Sequence, residues 1–260
     1  MEATTLDALR SWFDSYVIPF RDTDPEGLRN IDLKVEHTAR VCEVMDVLTA
    51  EEGLSPNECR IAAAAALLHD VGRFPQYRRW RTFRDSISDN HARLSVEVIR
   101  SEKLLDEVPD SERLLVEEAV RLHNQRQLPV KVSSPTRLFM QLLRDADKLD
   151  IWRVFLDQAI LPKAEQASAA TLGLPDNPGL TPVCMDAFRN GQLVRLEQCR
   201  VVNDFKLMQL SWVHELGFRA SRRLVLKREY LPRIAATMYE PGDIHGCLKQ
   251  FLEDVGQLAA

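Results

Sequence analysis

Apolar residues recur at spacings of three and four along almost the whole chain, the period of an amphipathic helix, and glycine is scarce at ten. The pattern predicts an all-α protein. A first helix is expected over 5–17, with Leu6, Leu9, Phe13 and Tyr16/Val17 on one face, before Pro19 and Pro25-Glu26-Gly27 break the chain. A second helix is expected over 31–51. The third opens with Ser55-Pro56-Asn57-Glu58, an N-cap serine, a first-turn proline and the glutamate of a capping box. It continues as Ile61-Ala62-Ala63-Ala64-Ala65-Ala66-Leu67-Leu68, apolar all round, which predicts the central element of the domain. A loop is expected over 73–90, then helices over 90–102, 111–124 and 135–158, the last opening with Ser134-Pro135. Residues 161–202 are rich in Pro, Gly and polar side chains and read as a linker, a lid or a binding loop. Helical patterning returns over 203–230 and 243–257. The expected division is an N-terminal helix (1–30) packed on a core (31–158), with a loop and helical extension (159–260) of the same domain.

Composition narrows the partners. The 260 residues carry 34 basic and 39 acidic side chains, a net charge of -5, so duplex nucleic acid is a poor match. The longest apolar run, 61–68, is too short to span a bilayer, and the first residues lack the basic and apolar regions of a secretory leader. Five scattered cysteines without a Cys-x-x-Cys pair read as reduced thiols. The expectation is a cytoplasmic protein with neither a nucleic-acid nor a membrane partner.

Six polar side chains fall where apolar ones belong. His37 shares a helix face with Val41, Val44 and Leu48, and His123 with Val116 and Ala119. His91 opens a helix whose Leu94 and Val98 are expected on its face. Asp147 lies between Leu143 and Ile151, and His69-Asp70 ends the most apolar helix. A lone histidine on an apolar face is usually a hydrogen-bonded core residue. Four imidazoles and two carboxylates aimed inward from separate helices have a simpler explanation, because desolvating the carboxylates is costly without a cation. Convergence on bound metal is expected, as in other helical bundles. Donors of this kind without thiolate suit one or two divalent ions among Fe, Mn, Co, Ni and Zn, and a catalytic site better than a structural one.

The order His37, His69-Asp70, Asp147 resembles the HD-domain superfamily of metal-dependent phosphohydrolases. The doublet sits in Leu67-Leu68-His69-Asp70-Val71-Gly72-Arg73-Phe74, and the distal aspartate in Ala146-Asp147-Lys148-Leu149, both similar to the family's surroundings. The resemblance covers about 31–158 and implies an HD-type helical bundle. It implies that His37, His69, Asp70 and Asp147 hold a first metal, that His91 and His123 add a second, and that Asp70 bridges them. The cyclic-dinucleotide branch has a paired histidine and a Gly-Tyr-Pro motif. Here Asn124 follows His123 and that motif is absent.

The expected reaction is hydrolysis of a phosphate ester of a small metabolite or nucleotide by metal-activated water, with Asp70 and Lys148 in catalytic roles. Lys148 has an even alternative as a flank salt bridge, and Asp150 one as an orienting acceptor for a ligand histidine. The cationic segment Arg73 to Arg84 supplies Arg73, Arg78 and Arg81 as candidate phosphate contacts, and Asn124 and Arg126 follow His123 as further ones. Two alternatives stand beside hydrolysis: a diiron oxygenase of the same superfamily, which shares such a ligand set, and a metal- or nucleotide-sensing module without turnover.

Overall fold

Helix α3 (Pro56–Leu68) is the hub. Every residue from Ile61 to Leu68 is buried, as an all-round apolar pattern requires, and its start carries the complete Ser55–Glu58 capping box. The computed structural model describes residues 1–125, 131–238 and 244–257. Around α3 pack α1 (Ala3–Val17), α2 (Pro25–Glu51), α6 (Asp110–Leu122) and α7 (Ser134–Ala159), with α5 (His91–Ser101) against α6. No strand occurs among the described residues, so the all-α expectation holds.

Several boundaries differ from the sequence reading, each for a local reason. Pro25-Glu26-Gly27 is the first turn of α2 and not a break. Proline is tolerated there, where its missing N–H has no partner to lose, and Asp24 Oδ1 caps the turn from the Gly27 N–H at 2.8 Å. A division at residue 30 therefore cuts this helix. Ser133, one residue earlier than the Ser-Pro pattern suggests, caps α7. The segment 73–90 contains a two-turn helix, α4 (Arg73–Trp80), ended by Arg81 in the left-handed region.

The C-terminal third folds back along α7. Short helices α8 (Pro182–Arg189) and α9 (Val202–Ser211) are followed by α10 (Arg219–Lys227), α11 (Tyr230–Ala236) and α12 (Ile244–Gln257). Trp152 Nε1 on α7 donates to Gln209 O on α9 at 3.0 Å, and Phe155 meets Phe205 with ring centroids 6.4 Å apart. Residues 168–171 are tied to α2 through Asn30, whose amide donates to Ser168 Oγ and accepts from the Ala169 N–H. The buried carboxylate of Asp145 accepts from the backbone N–H groups of Gly217 and Phe218 at 3.0 and 3.1 Å and from Gln141 Nε2 at 2.7 Å. All five cysteines are free thiols. No described helix is long and apolar enough to cross a membrane.

Candidate metal centre

The His69-Asp70 corner forms where α3 stops. The last turn of a helix leaves its carbonyls without intrahelical donors, and His69 Nδ1 donates to one of them, Ala66 O, at 2.7 Å. His123 ends α6 by the same device, with Nδ1 donating to Val120 O at 2.7 Å. His91 is the first residue of α5, which Asn90 caps, and its Nδ1 donates to Asp85 Oδ2 at 2.6 Å. His37, in the middle of α2, donates from Nδ1 to Asp150 Oδ2 at 2.7 Å, and Arg40 holds the other Asp150 oxygen at 2.8 Å. Each Nδ1 thus carries its proton toward an acceptor, which leaves the Nε2 lone pair of all four buried rings pointing elsewhere.

Those lone pairs point at one another and at carboxylates. His37 Nε2 lies 3.8 Å from Asp70 Oδ2 and 3.1 Å from Asp147 Oδ1, and His69 Nε2 lies 3.6 and 3.9 Å from the same two oxygens. The other Asp70 oxygen, Oδ1, is 3.6 Å from His91 Nε2, which is 3.1 Å from His123 Nε2. Two trios therefore share Asp70: His37, His69 and Asp70, and Asp70, His91 and His123, each with donor atoms within 4.8 Å of one another. The buried Nε2 atoms of His37 and His69 have no hydrogen-bond partner. Buried polar atoms without partners are costly, and facing Nε2 lone pairs repel, so the donor set fits divalent cations.

Electrostatics keep three of the four imidazoles and the Asp70 carboxylate in their ligating forms. Burial holds His69 below the ordinary imidazole range and brings His91 and His123 down to about 4, with Arg73 adding to the effect at His91 and His69 at His123. At His37 burial and Lys34 also disfavour the cation, but the neighbouring carboxylates of Asp147 and Asp150 prevail and raise it. Burial alone would raise Asp70. Lys34 Nζ, 2.7 Å from Oδ2, together with His69 and Arg73, holds its carboxyl well below the usual range.

The centre opens into a cavity of about 690 Å³. Asp147, with 19% of its side chain exposed, faces this cavity together with Ile151, so only the Leu143 end of the stripe is core and the rest is a wall. His91 shares the buried face of α5 with Ser95, Val96 and Ile99, whereas Leu94 and Val98 are half-buried. Of the candidate substrate contacts, Arg73 and Asn124 line the cavity, and the buried Asn124 Oδ1 has no partner. Arg73 also spans from Asp70 Oδ1 (3.4 Å) to Asp85 Oδ1 (3.0 Å) and Phe83 O (2.6 Å). Lys148 lines the cavity and pairs with Glu215 Oε2 at 2.6 Å, neither free nor on a ligand carboxylate.

Arg78 and Arg81 do not reach the cavity. Arg78 stacks on Phe20 and donates to Pro19 O at 2.6 Å, while Arg81 pairs with Asp24 and Thr23 at the start of α2. The two-turn helix turns both away from the centre. Arg126 lies outside the described residues. Lys34, Arg84, Arg144 and Glu215 line the cavity without having been singled out in the sequence. Lys34 stands one turn before His37, and Arg144 one turn before Asp147, so helical spacing from the ligands carried that signal.

A family model described as HD domain matches residues 35–152, the segment that carries all six of these donors. No curated protein and no solved structure matches the chain.

Proposed function

We propose that this chain, whose residues 35–152 match the HD-domain family, is a metal-dependent phosphohydrolase acting on a phosphate ester of a small metabolite. The observation that carries the reading is one juxtaposition. Buried imidazole nitrogens without partners surround Asp70, and the cavity they open into is walled by the cations Lys34, Arg73, Arg144 and Lys148. His37, His69, Asp70 and Asp147 would hold one ion, and Asp70, His91 and His123 a second. Such ions, when bound, acidify water and offset negative charge on a phosphoryl group.

The chain's own side chains do the rest. Asp150 and Asp85 orient His37 and His91 by accepting their Nδ1 protons. Arg144, with an exposed area of only 6%, is held by the carbonyls of His123 and Gln125, and Lys148 by Glu215. Both present positive charge to an anion without reorganising. Asn124 Oδ1 offers an acceptor to a substrate or water proton.

The test is metal analysis of protein purified without chelator, then assay of a phosphate-ester panel with Mn, Fe, Co, Ni or Mg. Metal-dependent release of inorganic phosphate is expected. Because losing a residue that merely orients a ligand costs about 10–100-fold, Asp70→Asn should lower kcat/KM by more than about a hundredfold. Turnover that consumes dioxygen, or that survives Asp70→Asn, would overturn the reading.

A further inference from the structure

The cavity continues well past the metal ligands, and its chemistry changes as it does. Ile151 and Val154 follow Asp147 at spacings of four and seven on the same face of α7, so the wall runs about 10 Å beyond the last ligand. From α9, Phe205 and Met208, with Trp212 beyond, turn one helical face toward it. The segment 161–201, without periodicity in the sequence, supplies Ala170, Leu172 and Leu193. Leu33, Val154 and Ala170 pack together at this end.

Among the described lining residues from 151 to 212, only Arg195 and Glu197 are charged, both are exposed, and none is Ser, Thr, Asn or Gln. The hydroxyls of a sugar or nucleoside placed there would lose water and, among these residues, find polar side chains only in the exposed Arg195 and Glu197 and the Trp212 indole, which disfavours them. One wall residue is held at a backbone cost: Leu172 has φ +52, in the left-handed region that a leucine rarely adopts. Its side chain reaches the cavity from that position.

We infer that the substrate is amphiphilic, a phosphate monoester of an apolar alcohol, with the phosphoryl group at the Asp70 end and an alkyl or aryl body in the Ile151–Val154–Met208 pocket. The inference rests on the phosphohydrolase reading and narrows its substrate class. In the reaction an oxygen of water bonds to phosphorus, the bond from phosphorus to the ester oxygen breaks, and that oxygen leaves as the alcohol with a proton. The volume is within the range of about 300–1,000 Å³ typical of small-molecule sites, which fits a short to medium chain.

The test uses the metal-loaded protein and calorimetric binding of methyl-, butyl- and hexylphosphonate, which cannot be hydrolysed at an ester bond, alongside the matching n-alkanols. Each added methylene should tighten phosphonate binding by up to about fourfold until the pocket fills, and the alkanols should follow the same order. Leu172→Asn replaces the wall with a polar group of similar size that tolerates the left-handed region, so the variant folds. It should cut the butyl-to-methyl affinity ratio about fivefold. Chain-length-independent binding in both series, or tighter binding of glycerol phosphate than of butylphosphonate, overturns the inference. Hydrolysis is scored separately on butyl phosphate. If the alkanols and phosphonates bind in the expected order but no ester is hydrolysed, the pocket stands and the phosphohydrolase reading falls.

Discussion

Gly72→Ala sets two opposing terms against each other at the metal corner. Gly72 has φ -69 and ψ -17, ordinary helical values, so alanine would restrict the unfolded chain and stabilise by about 0.4–1 kcal/mol if space allowed. Space does not allow it. A Cβ there would lie 2.4 Å from Ser95 N, 2.6 Å from His91 O and 2.7 Å from Leu94 C, all backbone atoms of α5. Reaching normal contact means moving α5 by about 1 Å, and overpacking of this kind costs about 1–3 kcal/mol. The shift also strains the Ser95 clamp, in which Oγ donates to His69 O at 2.7 Å and accepts from Gly72 N at 2.9 Å. Those bonds are worth about 0.5–1.5 kcal/mol each. The net expectation is a destabilisation of about 2–4 kcal/mol, read from the urea midpoint of chelator-treated protein at unchanged slope. Because His91 sits on the displaced helix, metal content should fall as well. Gly27→Ala is the contrast: its Cβ would meet the side chains of Thr23 and Arg81, which can rotate, so its cost should be smaller. A Gly72→Ala midpoint equal to or above wild type would refute the packing argument.

Asp150→Asn removes the charged acceptor behind His37 and should weaken metal binding about 10–100-fold, measured by competition with a chromogenic chelator. In the metal-free protein, His69, His91 and His123 bind protons less readily than in the unfolded chain. Their stabilising contribution is present above pH 6.5 and is lost as pH falls toward about 4, while His37 acts in the opposite sense. Urea midpoints should therefore drop between pH 7 and pH 4.5, and a flat or rising profile would contradict the buried, neutral imidazoles. Arg78→Ala and Arg81→Ala should each leave turnover within about twofold of wild type and cost less than about 1 kcal/mol, since both side chains make exposed pairings remote from the centre.

The parts of this molecule legible in the sequence are those governed by short-range periodicity. The apolar run 61–68 announced a surrounded helix, and Ser55 with Glu58 announced its start, because both signals are complete within one or two turns. Pairing across the fold was not legible in the same way. Asp85, six residues before His91, became its acceptor only because the turn after α4 brings the chain back. Glu215, 67 residues from Lys148 in sequence, reaches it through a turn pinned by Asp145. Arg78 and Arg81 fit phosphate contacts on composition and position alone, but the helix that carries Arg78 and is capped by Arg81 fixes their direction instead. Residues 161–202 gave no period because they line a cavity from loops and single turns, where spacing carries no register.

The segment that can be recognised as an HD domain is shorter than the segment that can stand alone. The match ends at 152, inside α7, yet the buried Asp145 carboxylate on that helix accepts from the Gly217 and Phe218 amides, which lie far beyond it. Cutting the chain at the family boundary would strip those donors away and leave the Trp152 indole without the α9 carbonyl it donates to. A fragment limited to 35–152 should therefore be recovered as an aggregate or a molten state, whereas the full chain melts in a single transition. Any graft that aims to move this centre onto another protein must carry the turn at 215–218 along with it.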